Sequence, residues 1–205
     1  MVDGMNRCGR RALIGGLTGA SLLGTRVFAA EAAGQVETLR GDCFAQTTAA
    51  RRTLAPDAAV FIGDAVGTGP QSALAMRLGT ATQVKLGAEA RLRIDRFVVN
   101  AGGVLVLDTG AMLYDHDADA SPQDLAVRTP FGLLAVRGTR FFAGPSNGVF
   151  GVFVERGRVV VVGVNTMVMV EAGSGTDIAR PGAEPTAPHP WAAPRVANAM
   201  ASVMP

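Results

Sequence analysis

The stretch densest in side chains able to do chemistry is Tyr114-Asp115-His116-Asp117-Ala118-Asp119. Hard cations favour several carboxylates close together, so metal binding is the chemistry such a cluster would do. It lacks the glycine turn and closing glutamate of a calcium loop. Lying between Leu113 and Leu125, it reads more simply as a solvated loop. Ser146, His116 and Asp115 supply the residue types of a nucleophilic triad, but no G-x-S-x-G turn presents the serine. No motif singles out two carboxylates for general acid–base work. The expectation is a non-enzymatic protein with no metal and no cofactor. The most conspicuous polar group is Arg137-Gly138-Thr139. It reads as a contact point for a partner or as a turn. In the turn reading Gly138 supplies an unusual φ, Thr139 caps, and Arg137 pairs with Asp64 or Asp108. The turn is the preferred reading.

The elements that must position these residues follow a period of two from residue 35 to about 171. Leu74, Met76 and Leu78 alternate with Ala73, Ala75 and Arg77, and Leu92 and Ile94 alternate with Arg91, Arg93 and Asp95. Such alternation sets one face on a core and one in water. Phe150, Val152 and Val154 share a face opposite Val149 and Phe153. Val104–Leu107 and Val159–Val162 are continuous apolar runs, which predict strands covered on both faces. Glycines punctuate the runs about every ten residues, the mark of a sandwich, barrel or solenoid. Asn100–Gly103 and Glu155–Arg158 read as hairpin turns. Met76, Val84 and Leu92, eight apart, hint at stacked rungs. The fold class is therefore all-β: a β-solenoid-like stack or a twisted β-sandwich of many short strands. Pro181, Pro185, Pro188, Pro190 and Pro194 predict a surface strap over 181–205 that ends in a short helix with Val196, Ala199, Met200 and Val203 on one face. Trp191, the only tryptophan, is expected to pin the strap.

Residues 1–29 read as a cleaved export signal, with Arg7, Arg10 and Arg11 before an uncharged run from Ala12 to Thr25 and small residues at Val27-Phe28-Ala29. Arg10 and Arg11 in Gly9-Arg10-Arg11-Ala12-Leu13-Ile14 resemble the twin-arginine signal. The product is expected in the periplasm, with no membrane span. Four of the 19 Lys and Arg and one of the 17 Asp and Glu precede residue 30, leaving 15 and 16, a net charge of −1. That balance argues against nucleic acid, whose phosphates need a basic surface. Cys43 would be the one cysteine left, and packs as a small apolar side chain.

In order along the chain, the motifs resemble the FecR domain. Val60–Gly69 is similar to its G-D-x-(I/V)-x-T-G segment, and Ser72–Gly79 to its S-x-A-x-L-x-L run. Leu107–Met112 is similar to its L-x-x-G-x-(L/M) strand. Val127–Gly132 with Ala135–Phe141 resembles V-x-T-P-x-(A/G) followed by V-R-G-T-x-F, and Val154–Val159 its closing V-x-x-G-x-V. The resemblance covers residues 34–180. It implies a periplasmic β-domain of cell-surface signalling with an envelope protein as partner. The chain shows neither a cytoplasmic anti-sigma segment nor a membrane helix, and so resembles the stand-alone members. The reading is a binding, signalling or scaffolding module. An envelope polysaccharide or peptidoglycan binder is the alternative, although one Trp and one Tyr offer a glycan little to stack on. A hydrolase of unknown type ranks behind both.

Overall fold

A computed structural model describes residues 31–98 and 101–205. The expected export signal, with Arg10 and Arg11, lies outside the described residues. The strands in chain order are β1 (Ala32–Arg40), β2 (Cys43–Gln46), β3 (Arg51–Thr53), β4 (Ala59–Phe61), β5 (Ala65–Thr68), β6 (Ala73–Leu78), β7 (Thr82–Leu86), β8 (Arg91–Val98) and β9 (Gly102–Thr109). They continue as β10 (Met112–His116), β11 (Asp124–Thr129), β12 (Gly132–Arg137), β13 (Arg140–Ser146), β14 (Val149–Arg156), β15 (Arg158–Val162), β16 (Met167–Glu171), β17 (Ser174–Ile178) and β18 (His189–Pro190), and the helix α1 spans Ala193–Ala201.

They form two nine-stranded sheets, one ordered β18-β17-β14-β13-β10-β7-β6-β1-β4 and the other β16-β15-β12-β11-β9-β8-β5-β2-β3. We call them sheet A and sheet B. From β6 onward the chain lays hairpins alternately in A and B, so both sheets grow in the same direction. The molecule is a sandwich, with strands added in solenoid order. Only β10 stands alone between β9 and β11; a single strand in the opposite sheet leaves its two neighbours running the same way, so β9 and β11 pair in parallel. Met76 and Val84 are cross-strand partners in sheet A, whereas Leu92 sits in sheet B. The eightfold spacing is thus two sheets facing one core, not one stack of rungs.

The alternation read from sequence sets the inner faces. Leu74, Met76, Leu78, Leu92, Ile94, Val152 and Val154 are all buried in one core cluster between the sheets. Each such side chain contributes about 1.5–3 kcal/mol on burial. Two expectations need correction. Glu155–Arg158 is not a hairpin turn: β14 ends in sheet A and β15 begins in sheet B. Gly157, at φ +83°, makes that crossing, and a Cβ there would lie 2.7 Å from Thr139 Cγ2. The continuous runs are not covered on both sides either. Leu105, Leu107, Val159 and Val161 face the core, but Val104, Val106, Val160 and Val162 are half-exposed on the outer face of sheet B. Of the Asn100–Gly103 turn, Asn100 lies outside the described residues.

The outer face of sheet A is covered by the strap and α1. Phe142, Phe153, Leu113 and Ala111 form a second apolar cluster with Trp191, Ala199 and Val203, with Val196 and Met200 at its border. The Trp191 ring lies on bare backbone: a Cβ on Gly175 would sit 2.2 Å from its Nε1, and one on Gly151 2.6 Å from Cη2. Arg195 closes the other side, 3.6 Å above the ring centroid, while its Nη1 and Nη2 donate to Asp177 at 3.0 and 2.6 Å.

Gly175→Ala is expected to push Trp191 off the sheet, cost about 1–3 kcal/mol as overpacking does, and red-shift the tryptophan emission; thermal unfolding and fluorescence check this. Asp64→Asn removes the charge that Arg52 holds with two hydrogen bonds in a fully buried site. Because the Arg52 side chain is itself 36% exposed, the expected loss of stability is that of a charged hydrogen bond, about 1.5–3 kcal/mol, measured by urea unfolding.

Candidate binding surface

The motif residues that mark the chain are mostly spent on architecture. Asp64 accepts the Phe61 backbone N–H at 2.8 Å as well as Arg52. Thr68 donates to the Gly87 carbonyl at 2.5 Å and accepts from the Ala90 N–H at 2.9 Å. Thr129 donates to the Gly132 carbonyl and accepts from the Phe131 N–H, closing the β11–β12 turn. Val136 and Phe141 are core.

Arg137-Gly138-Thr139 divides in two. Gly138, at φ +58°, carries the chain from sheet B to sheet A against Pro122. Thr139 is fully buried, and its carbonyl accepts the His116 N–H at 3.0 Å. Arg137 alone faces out. Asp64 is held by Arg52; the carboxylate near Arg137 is Asp124, at 3.8 Å, with the two side chains 70% and 78% exposed. A pair so exposed contributes little, about 0–1 kcal/mol.

The other reactive types are dispersed. Tyr114 and His116 point inward and are buried, and Asp115 pairs with Arg140 and Arg156. His116 Nδ1 meets the Thr82 hydroxyl and Nε2 the Ser121 carbonyl, each at 3.0 Å. Ser146 accepts from Arg195 Nε, so Ser146, His116 and Asp115 do not address one another. Among the described residues no three His, Cys, Asp or Glu gather as a metal site. Burial pushes the Cys43 thiol and the Tyr114 phenol up. The only Trp and the only Tyr are both buried, which leaves neither for a sugar to stack on.

What the structure does assemble is the outer face of sheet B. The register β8–β9–β11–β12–β15–β16 aligns Arg96, Val104, Ala126, Ala135, Val160 and Met169 in one row across six strands. The next row holds Val106, Arg128, Leu133, Val162 and Met167. Met167 and Met169, on the edge strand β16, are 68% and 51% exposed. On the other flank of the first row Arg137 and Arg158 end β12 and β15 side by side, one residue beyond the paired Val136 and Val159. The result is a trough of about 500 Å³, floored by small apolar side chains and walled by Arg96, Arg137, Arg158 and Asp124. The sequence signal for this surface was present in the continuous Val runs.

The edge of the surface is fixed by the strap. Glu184 accepts hydrogen bonds from the Asn165 N–H (2.8 Å), Asn165 Nδ2 (3.1 Å) and the Thr166 N–H (3.1 Å) in the β15–β16 turn. These bonds, the Asn165 amide first, hold its carboxyl below the usual range. A carboxyl lowered in the folded state stabilises above its unfolded pKa, and that stabilisation is lost as pH falls through the folded value. Protection of the Asn165 and Thr166 amides from hydrogen exchange is therefore expected to fall as pH drops below the usual glutamate range, and Glu184→Ala is expected to abolish it at neutral pH.

Residues 64–160 match the family model "FecR protein". No curated protein matches the chain. Two crystal structures of a candidate anti-sigma factor from Parabacteroides distasonis, at 1.65 and 2.50 Å resolution, are similar in fold. Each has a TM-score of 0.54 and 16% identity, over 65% of this chain and 62% of that one. The chain thus spans less than two thirds of that protein's length, and at this identity the likeness is one of fold. Arg96, Asp124, Arg137 and Arg158 all fall inside the stretch that matches this family model, which runs from the approach to β5 into β15.

Proposed function

We propose that the chain is an exported, non-enzymatic module of the cell envelope that binds a protein partner through the outer face of sheet B and so relays or scaffolds a signal. The FecR domain supports a signalling or regulatory role, and the fold shared with a candidate anti-sigma factor supports it further. The observation that carries the reading is an asymmetry. Sheet A hides its outer apolar side chains under Trp191 and α1, whereas sheet B leaves Met167, Met169 and its half-exposed valines open. Exposed apolar surface of this kind, next to an unpaired strand edge, marks an interaction site. None of the helices among the described residues is long and apolar enough to cross a membrane.

The test is a pull-down from periplasmic extract with the processed protein, paired with Met167→Glu/Met169→Glu. Recovery of an envelope protein that the double variant loses is the expected result. Recovery of glycan alone, or of the same protein by both baits, would overturn it.

A further inference from the structure

We propose that the trough across sheet B is a peptide-binding groove whose ligand is an extended segment of a partner, alternating acidic and aliphatic residues. This deepens the binding-module reading and rests on it. The floor and the walls ask for different chemistry. Val104, Ala126, Ala135 and Val160 present small apolar side chains in register, a flat strip that takes aliphatic side chains from above. Arg137 and Arg158 stand side by side on neighbouring strands, an arrangement of like charges that destabilises a sheet when unoccupied. Arg158 forms no ion pair with Glu171, its cross-strand neighbour, and Arg96 forms none at all among the described residues. The chain from residue 31 carries a net −1, yet this trough concentrates three arginines against one carboxylate. An anionic ligand offsets that repulsion.

Length and polarity favour a peptide over a lipid. Neighbouring strands lie about 4.8 Å apart, so the trough from β8 to β15 runs about 19 Å, the reach of about six extended residues. Asp124 sits in the wall as an acceptor. A peptide brings backbone N–H donors for it, and an anionic lipid tail brings none. The trough is shallow and open to water along its length, which a hydrated backbone tolerates and an acyl chain does not. The same charges disfavour residues 1–29 of this chain as occupant, because Arg7, Arg10, Arg11 and Arg26 would meet an arginine wall.

The probe is a fluorescein-labelled octapeptide alternating glutamate and leucine, titrated into the processed protein and followed by anisotropy. A second peptide carries lysine in place of glutamate. Saturable binding of the acidic peptide is expected, at least tenfold tighter than the lysine peptide and weakened by salt. Arg96→Glu/Arg158→Glu is expected to weaken it at least tenfold. Both substituted positions are exposed; on the wild-type protein, amide shifts confined to β8, β9, β11, β12 and β15 locate the site without any variant. Equal binding of both peptides, indifference to the double variant, or shifts centred on α1 would overturn the proposal. So would co-sedimentation with phosphatidylglycerol vesicles that the acidic peptide fails to compete away. If the double variant still captures the partner that the wild type captures, the module reading stands and the groove falls.

Discussion

Each sheet can bury its inner face only against the other, and that need governs the whole chain. A polypeptide that alternates apolar and polar residues has one oily side per strand and no way to hide it alone. This chain meets the need by crossing between the sheets after nearly every hairpin, so that Leu74 and Met76 of one sheet face Leu92 and Ile94 of the other. Each crossing demands a residue that can leave one sheet and enter the next without splaying them. Gly138 at φ +58° and Gly157 at φ +83° do this side by side, with Thr139 wedged between them. Some of the polar groups at the crossings are matched locally, the Thr139 carbonyl by the His116 N–H and Asp64 by both Arg52 and the Phe61 N–H, whereas the buried Thr139 hydroxyl and Arg156 Nε have no partner among the described residues. Most of the motif residues serve this geometry, and Arg137 is the one in the Arg137-Gly138-Thr139 run whose side chain is left to solvent.

The two outer faces resolve differently. On sheet A, Gly151 and Gly175 leave a flat patch of backbone wide enough for an indole, and the strap returns to fill it with Trp191. Arg195 then ties ring, strap and β17 together through Asp177. On sheet B the outer positions that floor the trough, Val104, Ala126, Ala135 and Val160, are small or β-branched and apolar, with arginines at the margins. Nothing among the described residues returns to cover them. The domain is therefore two-sided by construction, with one face closed by its own C-terminus and the other turned outward.

Much of the fold could be read residue by residue. Period-two alternation identified the inner faces of β6, β8 and β14, the prolines identified the strap, and the spacing of Val196, Ala199, Met200 and Val203 identified the buried side of α1. The reading faltered where chemistry was identical but destination was not. Glu155–Arg158 has the composition of a hairpin turn, yet the strands it joins belong to different sheets. The valine runs at 104–107 and 159–162 look like strands buried on both sides, because a sequence reports that a face is apolar and not whether anything lies on it.

By itself, then, the order of residues determined the β character, the side of each strand that turns inward, and the capped, proline-rich end, since these depend on local periodicity and backbone freedom. Tertiary structure alone decided which strands are neighbours, which outer face is covered, and that Arg96, Arg137 and Arg158, 21 to 62 positions apart, share one wall. Those are consequences of long-range register, and register is set by the packing of two sheets on a common core rather than by any short stretch of chain.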